Sequence, residues 1–212
     1  MQYNSGRDFW WLLLRPWIAI PRLIQVLWTL GGLVIVLLLR GSSSNADVQR
    51  GLARRILNTL TGLGPCFIKL GQALSTRPDL VRRDWLEELT RLQDDLPAFP
   101  HSIALARIEK ELGAPADQLF EEFPSAPIAA ASLGQVYKAR LEGQAWVAVK
   151  VQRPNLTFIL RRDLVLIRAL GVLTAPFLPL NLGFGLGSII DEFGRSLFEE
   201  IDYEQEADNA ER

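Results

Sequence analysis

The sequence predicts an α+β fold, and three observations on its 212 residues carry that expectation. Apolar residues recur at helical spacing through much of 46–115 and again over 156–172. Between those stretches, 134–141 and 145–152 read as strands around the dipeptide Glu142-Gly143, the signature of an antiparallel hairpin. Ahead of both lies a strongly apolar run, residues 9–39, which opens with Trp10, Trp11 and Trp17. With 49% apolar residues the chain can bury a sizeable core.

The apolar run is interrupted early by Arg15, Pro16, Pro21 and Arg22. From Leu23 to Leu39 seventeen residues carry no charge. That is roughly 26 Å of helix at about 1.5 Å per residue, the lower edge of what crosses a bilayer. No small-residue cleavage site follows, which argues against a removed signal peptide. Arginines stand on both sides (Arg7, Arg15 and Arg22; Arg40, Arg50, Arg54 and Arg55), so the positive-inside rule does not orient it. Residues 1–55 carry seven arginines against Asp8 and Asp47, a balance of +5, whereas 191–212 carry nine acids against Arg195 and Arg212, a balance of −7. A basic, apolar beginning suits an anionic lipid surface. Residues 1–45 are therefore expected to form a membrane-anchor or interfacial helical segment, peripheral or a single span, at a bacterial or organellar membrane. The net charge of −1 gives no global field for nucleic acid, which is not an expected partner.

Gly41-Ser42-Ser43-Ser44-Asn45 reads as a polar linker, and the soluble part begins beyond it. Leu52, Ile56, Leu57 and Leu60 predict a helix over 48–63, broken by Gly62 and Gly64-Pro65. A second helix, 67–75, carries Lys69 and Gln72. Pro78-Asp79-Leu80 opens a third, running through Trp85-Leu86-Glu87-Glu88-Leu89 to Leu92, before Pro97 and Pro100 mark a loop. A fourth, 101–112, stops at Gly113, where a left-handed cap is easily adopted. Residues 46–115 thus form a helical extension. Next come an extended stretch with two prolines over 123–128, the hairpin, and the helix 156–172. Pro176, Pro179, Gly183, Gly185 and Gly187 then suggest a flexible connection, and one or two acidic helices from Ile189 close the chain. The lone Cys66 excludes an internal disulfide and reads as a buried small apolar residue; the lone His101 reads as a surface or capping residue. No metal site is expected among these residues.

Two blocks carry the chemistry: Ala129-Ala130-Ala131-Ser132-Leu133-Gly134-Gln135-Val136, then Val147-Ala148-Val149-Lys150. A kinase grips nucleotide with three parts: a small-residue turn over the phosphates, a strand lysine that reaches them, and a helix glutamate that fixes the lysine. Residues 129–135 stand where the glycine-rich turn would be. Alanine restricts the backbone relative to glycine, so this turn should be stiffer and approach phosphates less freely. Lys150 ends an apolar strand in the V-A-I-K pattern, with Ala148 two residues before it. Glu206, in Tyr203-Glu204-Gln205-Glu206-Ala207, is the partner chosen for Lys150. Residues 116–212 are accordingly expected to form a protein-kinase-like small lobe, an antiparallel sheet plus a glutamate-bearing helix.

Four blocks then resemble one family. They are Phe67-Ile68-Lys69-Leu70-Gly71-Gln72 with Ser75-Thr76-Arg77-Pro78-Asp79; 129–136; 147–154; and Asp191-Glu192-Phe193 through Glu200-Ile201-Asp202-Tyr203 to Glu211. In order and spacing, over 48–212, the chain resembles the N-terminal part of the UbiB/AarF-type atypical kinases, the family linked to ubiquinone and other prenylquinone lipids.

The resemblance implies that Lys69, Gly71 and Gln72 belong to a K-x-G-Q motif whose helices fold over the active site and occlude the place of a protein substrate. It implies that Glu200 and Asp202 form the E-x-D motif that engages Lys69, a regulatory lid. A lysine beside two carboxylates in a water-poor cleft is strongly favoured over an unpaired charge. It further implies binding of ATP or ADP with magnesium, in support of prenylquinone biosynthesis or homeostasis. Membrane lipid or prenylquinone precursors and quinone-biosynthesis proteins are the implied partners. Family members continue into a large lobe with a catalytic-loop aspartate and asparagine and an Asp-Phe-Gly metal site. Neither motif occurs before Arg212. The large catalytic lobe, with its magnesium ligands, is therefore expected to be absent from this chain, a fragment of a longer product, and no catalytic residue is assigned. The alternative is a non-catalytic membrane-bound adaptor, anchored by its Trp/Leu-rich beginning.

Overall fold

The computed structural model describes residues 3–78, 81–90, 96–143, 145–177 and 185–210. In chain order the elements are α1 (Ser5–Leu13), α2 (Pro16–Arg40), α3 (Ala46–Leu63), α4 (Pro65–Ser75), α5 (Arg83–Thr90), α6 (His101–Leu112), α7 (Ala116–Leu119), β1 (Ala129–Ala130), β2 (Gly134–Arg140), β3 (Trp146–Gln152), α8 (Leu156–Thr174), α9 (Leu186–Glu200) and α10 (Tyr203–Ala210). They divide into two compact units, Val36–Leu156, and Met1–Ile35 with Thr157–Arg212. Helix α6, at the end of the expected helical extension, packs on β3, so that end and the sheet lie in the same unit.

In the Val36–Leu156 unit, Asn45 starts α3: its Oδ1 accepts from the backbone N–H groups of Asp47 at 2.8 Å and Val48 at 3.4 Å. The polar stretch before it is fastened rather than a loose linker. Gln49, buried in α3, donates to the carbonyls of Gly41 and Ser43 at 3.0 and 2.6 Å and accepts from the Trp85 indole at 3.0 Å. Helices α3, α4 and α5 pack on one another, and Leu52, Leu60, Leu63, Phe67, Ile68 and Leu89 are buried. Cys66 is fully buried, as a small apolar residue should be. The helix expected over 78–92 is α5; residues 79, 80, 91 and 92 of that expectation lie outside the described residues.

The strands form one antiparallel sheet in the order β1-β2-β3. Gly143 supplies the left-handed turn residue between β2 and β3, at φ 65°. The stretch expected to be extended over 123–128 forms no ladder. Pro124 and Pro127 have no N–H to donate, so pairing with β2 begins just beyond them, with the Ile128 N–H donating to the Val136 carbonyl at 2.8 Å and then at Ala129–Ala130. One face of the sheet packs on α6 and α7 through Tyr137, Ala139, Val151, Ala104, Ile108 and Phe120. His101 joins that cluster rather than remaining at the surface: its ring stacks on Phe123 at 5.9 Å, and its Nδ1 lies 3.4 Å from the Tyr137 hydroxyl.

In the other unit, α1 and the start of α2 pack on α8. Leu12, Val165 and Leu166 form the buried centre, with Trp11, Ile18, Ala19 and Leu23 against it. Charges buried here are paired. Arg22 donates Nε–H and Nη2–H to the two oxygens of Asp163 at 3.0 and 2.7 Å, and Arg161 meets the buried Asp8 at 3.1 Å. Such bidentate geometry is what makes a desolvated pair tolerable. Of the glycines expected to mark a flexible connection, Gly187 serves a helix crossing instead. Gly187 lies inside α9, where a Cβ would sit 3.2 Å from the Val172 side chain, and a Cβ at Gly171 would sit 2.6 Å from Ile190. Residues 178–184 of that connection lie outside the described residues.

Replacing Asp163 by alanine leaves the Arg22 guanidinium buried without its carboxylate and should lower stability by about 3–5 kcal/mol. Urea unfolding of the two proteins measures this; a loss below about 1 kcal/mol would show that the pair does not hold α2 on α8.

Candidate functional site

The hairpin's pleat sorts the motif residues onto two faces. Opposed residues on neighbouring antiparallel strands share a face. The register places Ala129, Val136 and Lys150 in one row and Lys138 and Ala148 in the next. These side chains lie opposite the face that is packed on α6, and Lys150, Ala148, Lys138 and Trp146 are exposed. Lys138 lies over the Trp146 ring, 5.0 Å from its centroid. Lys150 is thus carried on an open face, one row from the turn that joins β1 to β2.

That turn is short and braced. The Ala131 N–H donates to the Gly134 carbonyl at 2.7 Å, and none of the described residues of 129–136 has a positive φ. A run of alanines adopts this path without strain, whereas glycines would leave it loose. Ser132, Leu133 and Gln135 are buried, so their side chains face inward, away from Lys150. Gln135 accepts from the Phe99 N–H at 3.0 Å and donates to the Tyr137 hydroxyl at 2.5 Å and the Phe99 carbonyl at 3.4 Å. Of the residues expected to bind nucleotide, these three can offer only backbone; Ala129, Val136, Ala148 and Lys150 share the open face.

Arg153 was not singled out in the sequence, yet it braces the turn from outside. It donates to the Ala131 carbonyl at 3.0 and 3.2 Å and to the Pro97 carbonyl at 2.8 Å, with its guanidinium 5.6 Å from the Phe99 ring centroid. Burial lowers its pKa from the ordinary arginine value. The only signal for it was its place in Val151-Gln152-Arg153-Pro154, where proline turns the chain immediately after β3.

The lid residues fall on separate units. Lys69 and Gln72, three apart on α4, share one helix face and are half-buried, with Gly71 buried between them. Glu200 ends α9, and the Asp202 carboxylate accepts from the Gln205 N–H at 3.2 Å, opening α10. Glu199, Glu200, Gln205, Glu206 and Asn209 line a cleft of about 250 Å³, which brings Glu200 and Glu206 together. Beside it, burial and the neighbouring charges of Glu206 and Glu200 push the Tyr203 hydroxyl up to about 12. Tyr3 approaches the same unit's α9: its hydroxyl donates to Asp191 at 3.0 Å, as does Arg168 at 2.8 Å. Burial alone would raise the Asp191 carboxyl, but the hydrogen bonds from Arg168 and Tyr3 outweigh it and hold the group below its ordinary value. The Lys69–Glu200/Asp202 and Lys150–Glu206 pairings join residues of different units and are taken up below as proposals.

A small antiparallel sheet with a helix-packed face, and an open face presenting Lys150 beside an alanine turn with Lys138 in the next row, defines a kinase-like domain of small-lobe character. Residues 91–212 match the ABC1 atypical kinase-like domain, and the chain belongs to that family, the one that its four motif blocks resemble. It is 50% identical over 212 residues to the uncharacterized protein slr1919 of Synechocystis sp., covering 100% of this chain and 38% of that protein. It is 45% identical over 201 residues to the chloroplastic protein ACTIVITY OF BC1 COMPLEX KINASE 1 of Arabidopsis thaliana, covering 91% and 28%. A solved structure of the Rv3197–erythromycin complex from Mycobacterium tuberculosis aligns at a TM-score of 0.41 and 33% identity, over 63% of this chain and 34% of that one. The chain thus spans well under half the length of the curated relatives it matches.

Replacing Gln135 by alanine strands the Phe99 N–H in the core and leaves the Tyr137 hydroxyl only the His101 ring nitrogen, and should cost about 1–3 kcal/mol by chemical denaturation. An unchanged midpoint would remove Gln135 from the turn's support. The raised Tyr203 value also sets a pH dependence. Its phenol stays neutral in the fold while the unfolded chain ionises near pH 10, so stability should fall between about pH 10 and 12. Tyr203→Phe should lose part of that fall in melting temperature; a curve superposing on the parent's would contradict it.

Proposed function

We propose that this chain is the nucleotide-binding part of an ABC1-family atypical kinase or ATPase that takes ATP or ADP with magnesium and supports prenylquinone lipid biosynthesis or homeostasis at a membrane. The observation carrying this reading is Lys150 exposed in register with Val136 and Ala129, beside the braced alanine turn. On that face Lys150 would hold nucleotide phosphates, and Ala148, small and in the next row, would leave room for a flat ring. The turn would offer backbone rather than side chains, held at a fixed height by Arg153 and Gln135. Glu206 would fix the Lys150 ammonium.

Magnesium nucleotide supplies the phosphoryl group and the screening of its charge. The family's metal ligands and catalytic base are assigned to no residue of this chain, so activity is proposed for the complete protein alone. Lys69, latched by Glu200 and Asp202, would keep the α4 region over the nucleotide and exclude a protein substrate. ATP hydrolysis coupled to lipid extraction fits such an occluded site better than protein phosphorylation. Motif order and charge complementarity support the latch; the apolar α2, the one described helix long and apolar enough to cross a membrane, supports the location.

Titration calorimetry of magnesium ATP into the complete protein tests the site. Lys150→Ala should weaken binding at least tenfold, the loss of a charge-assisted phosphate contact. Binding that is absent in the parent, or equal in the variant, would favour a nucleotide-independent adaptor. Lys69→Ala should change nucleotide affinity and autophosphorylation; no change in either would count against the latch.

A further inference from the structure

Most of the large apolar side chains left exposed among the described residues belong to α1 and α2. In α2 they recur at helical spacing (Trp17, Ile20, Ile24, Leu27 with Trp28, then Ile35 and Leu38), so they form one stripe, with Trp28 85% exposed. The opposite side is also apolar but occupied: Ile18, Ala19 and Leu23 pack on the Leu12–Val165–Leu166 cluster, and Arg22 is locked to Asp163. A helix apolar on both sides needs a second apolar environment for the second side.

Two features choose that environment. Trp10, Trp17 and Trp28 all lie exposed in α1 and α2, and tryptophan prefers the boundary between lipid headgroups and acyl chains. Arginines flank the stripe at both ends, Arg7 and Arg15 before Trp17 and Arg40 at the end of α2, the complement of anionic headgroups. Geometry then decides between lying in the membrane and crossing it. Helix α8 carries Arg161, Arg162, Asp163 and Arg168 and does not belong in hydrocarbon. The part of α2 packed against it extends to Leu23. From Ile24 to Leu39 sixteen residues remain, about 24 Å of helix against a hydrocarbon core of about 30 Å.

We infer that α1 and α2 form a monotopic docking surface for an anionic bilayer: the Trp17–Ile24–Trp28 face enters one leaflet while the Arg22–Asp163 pair keeps the other face on α8. Helix α2 lies in the leaflet and does not cross. This deepens the membrane part of the proposed function and is independent of its nucleotide site.

Sedimentation of the full chain with phosphatidylglycerol-containing vesicles, against pure phosphatidylcholine ones, reads the surface. Binding should be stronger to the anionic vesicles, and Ile24→Glu should weaken it about tenfold or more. Ile103→Glu, on α6 in the other unit, should leave it unchanged. In a Cys66→Ala background, Asn4→Cys and Ser44→Cys should both react with an impermeant maleimide added outside sealed vesicles. Protection of one of the two means a spanning helix and overturns the inference. So does self-association without vesicle binding, which would assign the stripe to a second copy. Magnesium ATP binding by the complete protein, measured separately, fails only if the nucleotide reading fails.

Discussion

The pairing register of β2 on β3 is the constraint from which the rest of the sheet's behaviour follows. Strand side chains alternate, so sliding one strand by one residue would turn its side chains to the opposite face relative to its partner's. In the observed register Gln135, Tyr137, Ala139 and Val151 are buried, while Lys138, Ala148 and Lys150 are exposed. Burial of Tyr137 and Val151 against α6 makes that choice, and the Gln135 amide locks it by spanning from Phe99 to Tyr137. A core interaction therefore determines which side of the sheet receives the lysine. The alanine turn depends on the same arrangement, because Arg153 can reach the Ala131 carbonyl only from the end of a correctly registered β3.

The unit built from both ends of the chain obeys a different rule. Its helices are apolar enough to pack, yet Asp8, Arg22 and Asp163 are buried among them. Ion pairs in low dielectric contribute less through net stability than through the penalty for breaking them. They make α1, α2 and α8 specific to one another where apolar contact alone would permit sliding. Tyr3 extends the device to α9, and Gly194 accommodates it: a Cβ there would lie 2.9 Å from the Tyr3 ring.

Much of this was legible in the sequence because periodicity and turn chemistry are local. The expected strands 134–141 and 145–152 differ from β2 and β3 by one residue at an end, and the helix 101–112 is α6, with Gly113 left-handed at φ 77°. The exposed position of Lys150 follows from alternation along Val147–Gln152. What escaped was decided by distant contacts. Gly187 resembles a linker residue until Val172 is seen to need its space. Asp163 reads as one more surface charge on α8 until Arg22, 141 positions earlier, is found against it. Gln135 carries no local mark separating a ligand residue from a core clamp, and two-residue β1 is too short to produce a pattern.

The account stands on the open face of the hairpin being the nucleotide face. Hydrogen–deuterium exchange of the complete protein, with and without magnesium ATP, examines this directly. Protection is expected together in 129–136 and in β3 around Lys150, with the buried Gln135–Tyr137 side already slow and unchanged. Protection confined to other segments, with both of these indifferent to nucleotide, would contradict it.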